Sequence, residues 1–488
     1  MSRERGALAL VLHSHMPYVE GFGTWPFGEE WLWEAVASVY LPLLSVLEAA
    51  EEGGAAVTVG LTPVLCDQLE AMRDDAAGAR FLAYLAGTKA EIHAVDAVGL
   101  VEGGRSAEAA ELRRAAEDYV AAAEAWRRRG GDLLGAFAAL ERTALWTSSA
   151  THAILPMLAT APGVRLQLET GVAAHARRFG GFGGGFWLPE CAYEPGLEQA
   201  LATAGVRCFA VEQTEMLGLG SLDHLSPVVT PAGPVAVPID WATVELVWQG
   251  PNPYPSADAY RDHHRRTTFD LRPWSIDGRP YDRDRAAAQA RVHAEHFVDH
   301  VIRRLDAHRA ERGAPGLVCC ALDTELLGHW WYEGPAWLAA VLEEARTRGL
   351  ALSTLPAGLE SVEAAARPLA ASTWGRDRDL STWDAPPVAE LAWGARRAEL
   401  EVLAAAARPH GRPALARATR ELLGAQASDW PFLLTWGEAG PYPLDRSRAH
   451  LLGLAAALDA SEDGELPQPD PFLRHLAPDL DPALLTAP

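Results

Sequence analysis

GFWLPECAY, Gly185 to Tyr193, places a carboxylate, Glu190, directly after a short apolar strand that breaks at Pro189. Proline cannot extend a sheet ladder, so the acid reads as standing at the exit of a rigid element, facing a cleft. A second stretch, LVCCALDTELLGHWWYEG from Leu317 to Gly334, repeats the design with Asp323 closing a run of six apolar or small residues. Acids after strands often only cap the next helix or pair with an arginine. Here Trp187 precedes Glu190, and Trp330 and Trp331 follow Asp323, so both acids lie among flat apolar faces of the kind that stack on sugar rings. Burial near such rings raises a carboxyl pKa, as a general acid at neutral pH requires. Two carboxylates at two strand ends point to glycosidic chemistry, in which one attacks the sugar carbon and the other moves a proton.

Outward from these two stretches, short apolar or β-branched runs recur at Ala7–Leu12, Val57–Leu61, Ala144–Thr147, Phe186–Leu188, Val206–Val211, Val235–Ile239 and Leu317–Leu322, with Ala-rich helical segments between them. Strands alternating with helices predict an α/β fold with a mostly parallel sheet. Most runs end in a polar or ring-bearing cluster (HSH, TPVLCD, THAILP, LPECAY, LDTE), so the functional groups gather at one end, as in a (β/α) barrel. Residues 67–140 turn amphipathic and helical, which reads as an insertion in the barrel, and another amphipathic helix covers 283–312. After about Pro368 the strand signal largely disappears. The division expected is a catalytic barrel over 1–370 and a C-terminal helical domain over 371–488. Its last stretch carries Pro467, Pro469, Pro471, Pro478 and Pro482 and reads as an extended tail. The cluster GGFGGG, Gly180 to Gly185, precedes a strand instead of joining a strand to a helix, so it reads as a flexible approach to that strand and not as a phosphate loop.

A chain of 488 residues with 49% hydrophobic side chains fits a large barrel plus a smaller helical unit. Its net charge of -23, from 42 basic and 65 acidic side chains, opposes nucleic acid and anionic membrane as partners and is compatible with a neutral glucan. The N-terminal MSRERGALALVLHSH is too short in its apolar part for a signal peptide or a membrane span and reads as the first barrel strand. Cys66, Cys191, Cys208, Cys319 and Cys320 are odd in number and lack metal-finger spacing, the pattern of reduced thiols in a cytoplasm. Cys191 beside Glu190 reads as packing before it reads as a nucleophile.

His13 and His15 lie two apart at the end of the first strand, so both point to the same side. Such a pair binds zinc in metal-dependent amidohydrolases, where His152 and Asp323 would complete the site. It equally serves as neutral imidazoles that hydrogen-bond sugar hydroxyls, or as a structural pair, and spacing alone leaves these open.

Taken together, LHSHMPY, GLTPVLCDQL from Gly60, ATHAILP from Ala150, GFWLPECAY and ALDTELLGHWWYEG resemble, in that order, glycoside hydrolase family 57, with the closest likeness to its 1,4-α-glucan branching enzymes. TWPFGEEWLWEA from Thr24 and SDWPFLLTWG from Ser428 extend the resemblance over almost the whole chain. The resemblance implies a distorted (β/α)7 barrel with a helical insertion and a C-terminal all-helical domain. It implies Glu190 as nucleophile and Asp323 as acid/base of a retaining transglycosylase that cuts α-1,4 links in a donor glucan and forms α-1,6 branches on an acceptor glucan, without metal or organic cofactor. His13 and His15 would then line the donor sugar's subsite, and Trp25, Trp248, Trp374 and Trp383 would ring the glucan, the last two as an acceptor platform. A family 57 α-amylase or 4-α-glucanotransferase would use the same two acids. A metal-dependent amidohydrolase and an inactive glucan-binding protein are the alternatives from other classes. The segments QGPNPYPSADAYRDHH after Trp248, PVAVPIDWATVELV before it and TWGEAGPYPLDRSRAH from Thr435 depart from the family's pattern, so catalytic identity is better supported than transfer specificity.

Overall fold

The computed structural model describes residues 5–408, 412–462, 473 and 475–486. Its strands are β1 (Gly6–Ser14), β2 (Val57–Leu61), β3 (Thr143–Ser148), β4 (Gly185–Trp187), β5 (Cys208–Val211), β6 (Val228–Val229), β7 (Val235–Pro238), β8 (Gly316–Asp323) and β9 (Ala351–Leu352). All seven runs expected from the sequence are among them, and β6 and β9 are two-residue additions. The sheet order is β6-β7-β5-β4-β3-β2-β1-β8, with β9 also on β1. Every pairing is parallel except that of β6 with β7. Just beyond β7, the Asp240 N–H donates to the Cys319 carbonyl of β8 at 2.9 Å. The two ends of the sheet thus touch, and the seven main strands curl into a distorted barrel.

β1 is buried at every position. A parallel strand covered on both faces reads as a continuous apolar run, which is why ALALVL showed no alternation. Strand register decides which side chains meet at the rim, because parallel strands end on the same side of the sheet. His13 of β1 pairs with Gly60 of β2 on one side and with Asp323 of β8 on the other, and Ser148 of β3 pairs with Trp187 of β4. Gly185 is required for close approach and not for flexibility: a Cβ there would lie 1.9 Å from the Trp146 indole nitrogen.

Helices Asp75–Ala83, Ala90–Glu102, Ser106–Arg128 and Leu133–Ala138 fill the stretch read as an insertion. The run Glu29–Glu52 is long and apolar enough to cross a membrane by composition. Its Leu32, Trp33, Val36, Val39, Tyr40, Leu44 and Leu47 instead belong to the main core. A π-helical turn, Val36–Tyr40, interrupts it.

From Ala389 the chain forms helices Ala389–Ala406, Arg412–Ala425, Asp429–Trp436 and Tyr442–Glu462. The preceding segment is tied to the barrel, with Tyr193 and Ser372 exchanging backbone hydrogen bonds of 2.9 and 3.0 Å. Pro467, Pro469 and Pro471 lie outside the described residues. Around Pro478 and Pro482 the expected extended tail is corrected, since Leu473, Leu476, Ala477 and Leu485 are buried against Leu166, Leu422 and Leu423. The Ala477 N–H donates to Asp67 at 2.8 Å and Arg177 pairs with Asp479 at 2.6 Å. The leucines between the prolines bury enough apolar surface to dock the segment. All five cysteines are buried with unpaired thiols.

Candidate active site

Glu190 leaves β4 in a left-handed backbone conformation, φ +56°, followed by Cys191 at +51°; His152 opposite has +58°. For residues with a Cβ such angles cost about 1–3 kcal/mol each and persist only where the surroundings impose them. Here the Cys191 N–H bonded to Leu188 at 2.8 Å and the Ala192 N–H bonded to Pro189 at 3.0 Å close the turn. The turn aims the Glu190 carboxyl into the rim. Its Oε2 accepts a hydrogen bond of 2.8 Å from the Trp374 indole, and its Oε1 lies 3.7 Å from His152 Nδ1.

Asp323 ends β8 with its side chain open to the cleft. Burial, and then the charge of Asp323, pushes the Glu190 carboxyl up to about 8. The protein around the cleft pushes Asp323 up to about 6, with His15 opposing. Because Asp323 acts on Glu190, the two titrate as a pair that holds one proton between those values.

A stack of rings backs the pair. His13 lies on Trp187 at 4.5 Å between centroids, and His152 lies 5.0 Å from His13 and 4.0 Å from His15. His13 Nε2 and His152 Nε2 share a proton at 3.1 Å, and His152 Nδ1 meets the Ser428 hydroxyl at 2.8 Å. Burial and the charge of His15 hold both His13 and His152 well below the ordinary imidazole range, so both are neutral. His15 goes the other way. Burial opposes its charge, but Asp429 at 2.9 Å, with Glu325 and Glu190 beyond, raises it. Its Nδ1 meets the Thr62 hydroxyl at 3.1 Å. Five of these six ring nitrogens are engaged with each other, with hydroxyls or with a carboxylate, and His13 Nδ1 is buried without a partner. Among the described residues no three His, Cys, Asp or Glu side chains gather as a ligand set.

A third carboxyl belongs to the site. Glu325 Oε1 accepts from the His15 backbone N–H at 3.1 Å and from the Tyr40 hydroxyl at 2.5 Å. Burial pushes it up to about 7, with Tyr40 opposing and Asp323 adding. Sequence reading missed Glu325, Tyr40, Ser428 and Asp429. Glu325 stands two residues after Asp323, and Ser428 and Asp429 open SDWPFLLTWG, so quoted motifs contained three of the four. For Tyr40 nothing local gave a signal.

The tryptophans divide. Trp374 is brought to Glu190, where it donates a hydrogen bond and packs at 5.0 Å on Trp187. Trp383 is corrected: it is 0% exposed and packs on Ile154 and Ala192, so its ring offers no face to a sugar. The acceptor platform of Trp374 with Trp383 therefore does not exist in this arrangement. Trp25 is 76% exposed and Trp248 39% exposed, and no hydrogen bond or ring contact among the described residues joins either to the carboxyl cluster. His13 is enclosed beneath Trp187 and His152, and His15 keeps a partly exposed ring.

Residues 9–240 match the model of glycosyl hydrolase family 57, and residues 395–479 match that of the 1,4-alpha-glucan branching enzyme C-terminal region. A 1,4-alpha-glucan branching enzyme of Thermococcus kodakarensis is 33% identical over 502 aligned positions, which span 91% of this chain and 72% of that protein. A probable 1,4-alpha-glucan branching enzyme of Mycobacterium tuberculosis is 33% identical over 91% of this chain and 90% of its own. The crystal structure of a GH57-type branching enzyme from Pyrococcus horikoshii superimposes with a TM-score of 0.89 at 30% identity, covering 99% of this chain and 97% of that one. By fold along its whole length and by sequence along most of it, this chain belongs to glycosyl hydrolase family 57, beside that family's 1,4-α-glucan branching enzymes.

Proposed function

We propose that the chain is a retaining 1,4-α-glucan branching enzyme, with Glu190 as nucleophile and Asp323 as acid/base. The observation that carries the reading is that β4 and β8 end on the same rim of the barrel and bring the Glu190 and Asp323 carboxyls close enough for the charge of one to act on the other. The match of residues 395–479 to the branching-enzyme C-terminal region favours branching over hydrolysis within the family.

The roles follow from what each carboxyl meets. Glu190 already has an N–H donor, Trp374, which stabilises only the anion, whereas Asp323 accepts no side-chain hydrogen bond among the described residues. In the resting site the proton favours Glu190, the more buried of the two. A bound glucan displaces water from the open Asp323 and sets a glycosidic oxygen against it, which draws the proton there and leaves Glu190 ionised. Glu190 then attacks the anomeric carbon, the C–O bond breaks, and the Asp323 proton passes to the leaving oxygen, giving a covalent glycosyl-enzyme. Asp323, now a carboxylate, takes the proton of an acceptor 6-hydroxyl as that oxygen displaces Glu190. Two inversions retain the α configuration.

The physiological product we assign is a glycogen-like glucan. A reducing, cytoplasmic setting goes with it, supported by five buried thiols without disulfides. The test is incubation with amylose, counting 1,6 linkages and new reducing ends. The wild type should form 1,6 linkages, and Glu190→Gln and Asp323→Asn should each lose at least about a thousandfold in rate. A wild type that yields only reducing ends, or only new 1,4 links, overturns the branching assignment while retaining the carboxyl pair.

A further inference from the structure

A retaining transferase must seat its acceptor on the side of the acid/base, because that carboxylate takes the acceptor's proton. With Trp383 buried and Trp374 turned to Glu190, that side needs another aromatic face. The loop after Asp323 supplies one.

Two adjacent tryptophans in this loop separate by function. Trp331 is buried against Tyr260 and Trp337, and its backbone N–H bonds Leu326 at 2.9 Å while its carbonyl accepts from Gly328 at 2.8 Å. This anchors the loop in the core. Trp330 then faces outward with 45% of its surface open, and its backbone N–H reaches the Glu325 carbonyl at 3.4 Å. The exposed indole is thus fixed to the peptide two residues beyond the open Asp323. It is also braced from behind: the His263 ring lies 4.8 Å away at 39°, and the His329 ring 5.3 Å away at 89°.

We infer that Trp330, braced by His263, is the platform on which the acceptor glucan stacks, so that it decides whether a 6-hydroxyl or water resolves the glycosyl-enzyme. The inference rests on the branching reading. The surroundings of Trp330 suit a polyol. Arg272 lies beside His263, its Nε is buried without a partner, and its guanidinium joins no ion pair among the described residues, which leaves donors free for sugar hydroxyls. The brace is rigid, because the segment 254–281 that carries His263 and Arg272 is clamped to the helix Arg283–Arg312. Tyr254 meets His296 at 2.7 Å and Tyr260 meets His293 at 2.9 Å. His263 lies in the stretch after Trp248, residues 249–264, whose sequence departs from the family's pattern. The departure therefore places a particular histidine behind a tryptophan at the acceptor side.

The experiment compares wild type, Trp330→Ala, Trp330→Phe and His263→Ala on amylose, scoring the ratio of transferred chains, of either linkage, to new reducing ends. Trp330→Ala is expected to lower that ratio about tenfold, with new reducing ends gained at the expense of transferred chains. Trp330→Phe, which keeps a ring, should retain most of the ratio, and His263→Ala should fall between. An unchanged ratio in Trp330→Ala overturns the inference. So does a parallel fall in cleavage and transfer, which would mark Trp330 as a support for the Asp323 loop. Because linkage type is scored separately, a wild type that transfers chains only through 1,4 links removes the branching reading and leaves the platform to stand or fall on the ratio.

Discussion

Trp374 reaches Glu190 twice, through its backbone N–H at 3.0 Å to the Glu190 carbonyl and through its indole N–H at 2.8 Å to the carboxylate. The second bond favours the anion. Trp374→Phe keeps a ring and deletes only that donor, so the Glu190 carboxyl rises further and less of it is ionised at neutral pH. The alkaline limb of the kcat/KM profile should move to higher pH, and kcat/KM at pH 7 should fall about 10–100-fold, the value of a hydrogen bond to a charged group, because a smaller share of the singly protonated pair carries its proton on Asp323. An unshifted limb would remove Trp374 from this role. In the wild type the carboxyl pair itself sets the profile: a bell with apparent limbs near 6 and 8, assigned to the pair and not to either residue. Activity rising to its maximum near pH 4.5 would contradict the raised carboxyls.

At the scale of elements, the site depends on a contact between the π-helical turn Val36–Tyr40 and the loop after β8. Tyr40 donates its hydroxyl to Glu325, and Gly328, with φ +119°, passes so close that a Cβ would lie 2.0 Å from the Ser38 carbonyl. π turns recur at functional sites because the extra residue redirects a side chain, and here it brings a hydroxyl to the Glu325 carboxyl in the loop after β8. Gly328→Ala meets both a left-handed backbone and a backbone clash. It should destabilise the fold by more than about 2 kcal/mol in chemical denaturation and reduce activity with it. A fully stable, active Gly328→Ala would show that this loop moves freely against the turn. The strands themselves were legible because a buried parallel strand requires an unbroken apolar run, and its end requires a polar break. The π turn was not, since its residues VASVY continue a helical pattern without interruption.

At the scale of the molecule, the C-terminal helices complete the histidine and carboxyl cluster at the rim. Ser428 and Asp429, at the start of the helix Asp429–Trp436, hold His152 and His15 across separations of 276 and 414 residues. Asp429→Asn removes the charge that raises His15. The folded His15 pKa lies above that of the unfolded chain, so its pairing stabilises the protein at low pH and is lost as pH rises through the folded value. The variant should therefore lose thermal stability at pH 5.5 and lose less at pH 8.5, by calorimetry. Glu190 follows the same sign for a different reason. Burial raises its carboxyl to about 8 from the ordinary 4.5, so the stability it gives is present below about 4.5 and is gone above about 8, where a buried charge must be carried. Glu190→Gln should melt higher than the wild type at pH 9 and equal to it at pH 4.5. No difference at pH 9 would mean that Glu190 is well hydrated.

The sequence by itself determined the seven main strands, the common rim where they end, and the two acids placed there, because strand burial and strand termination are written in consecutive residues. It also carried the family, through motifs whose order survives along the chain. Tertiary structure alone decided what the rings do. A tryptophan in a core, one hydrogen-bonded to a carboxylate and one half-exposed at the surface have the same local sequence signature, and only packing separated Trp383, Trp374 and Trp330. It alone also brought Glu325 and Asp429 to His15, and Tyr40 to Glu325, since contacts between residues hundreds of positions apart are fixed by the register of strands and the docking of helices, which no local stretch encodes.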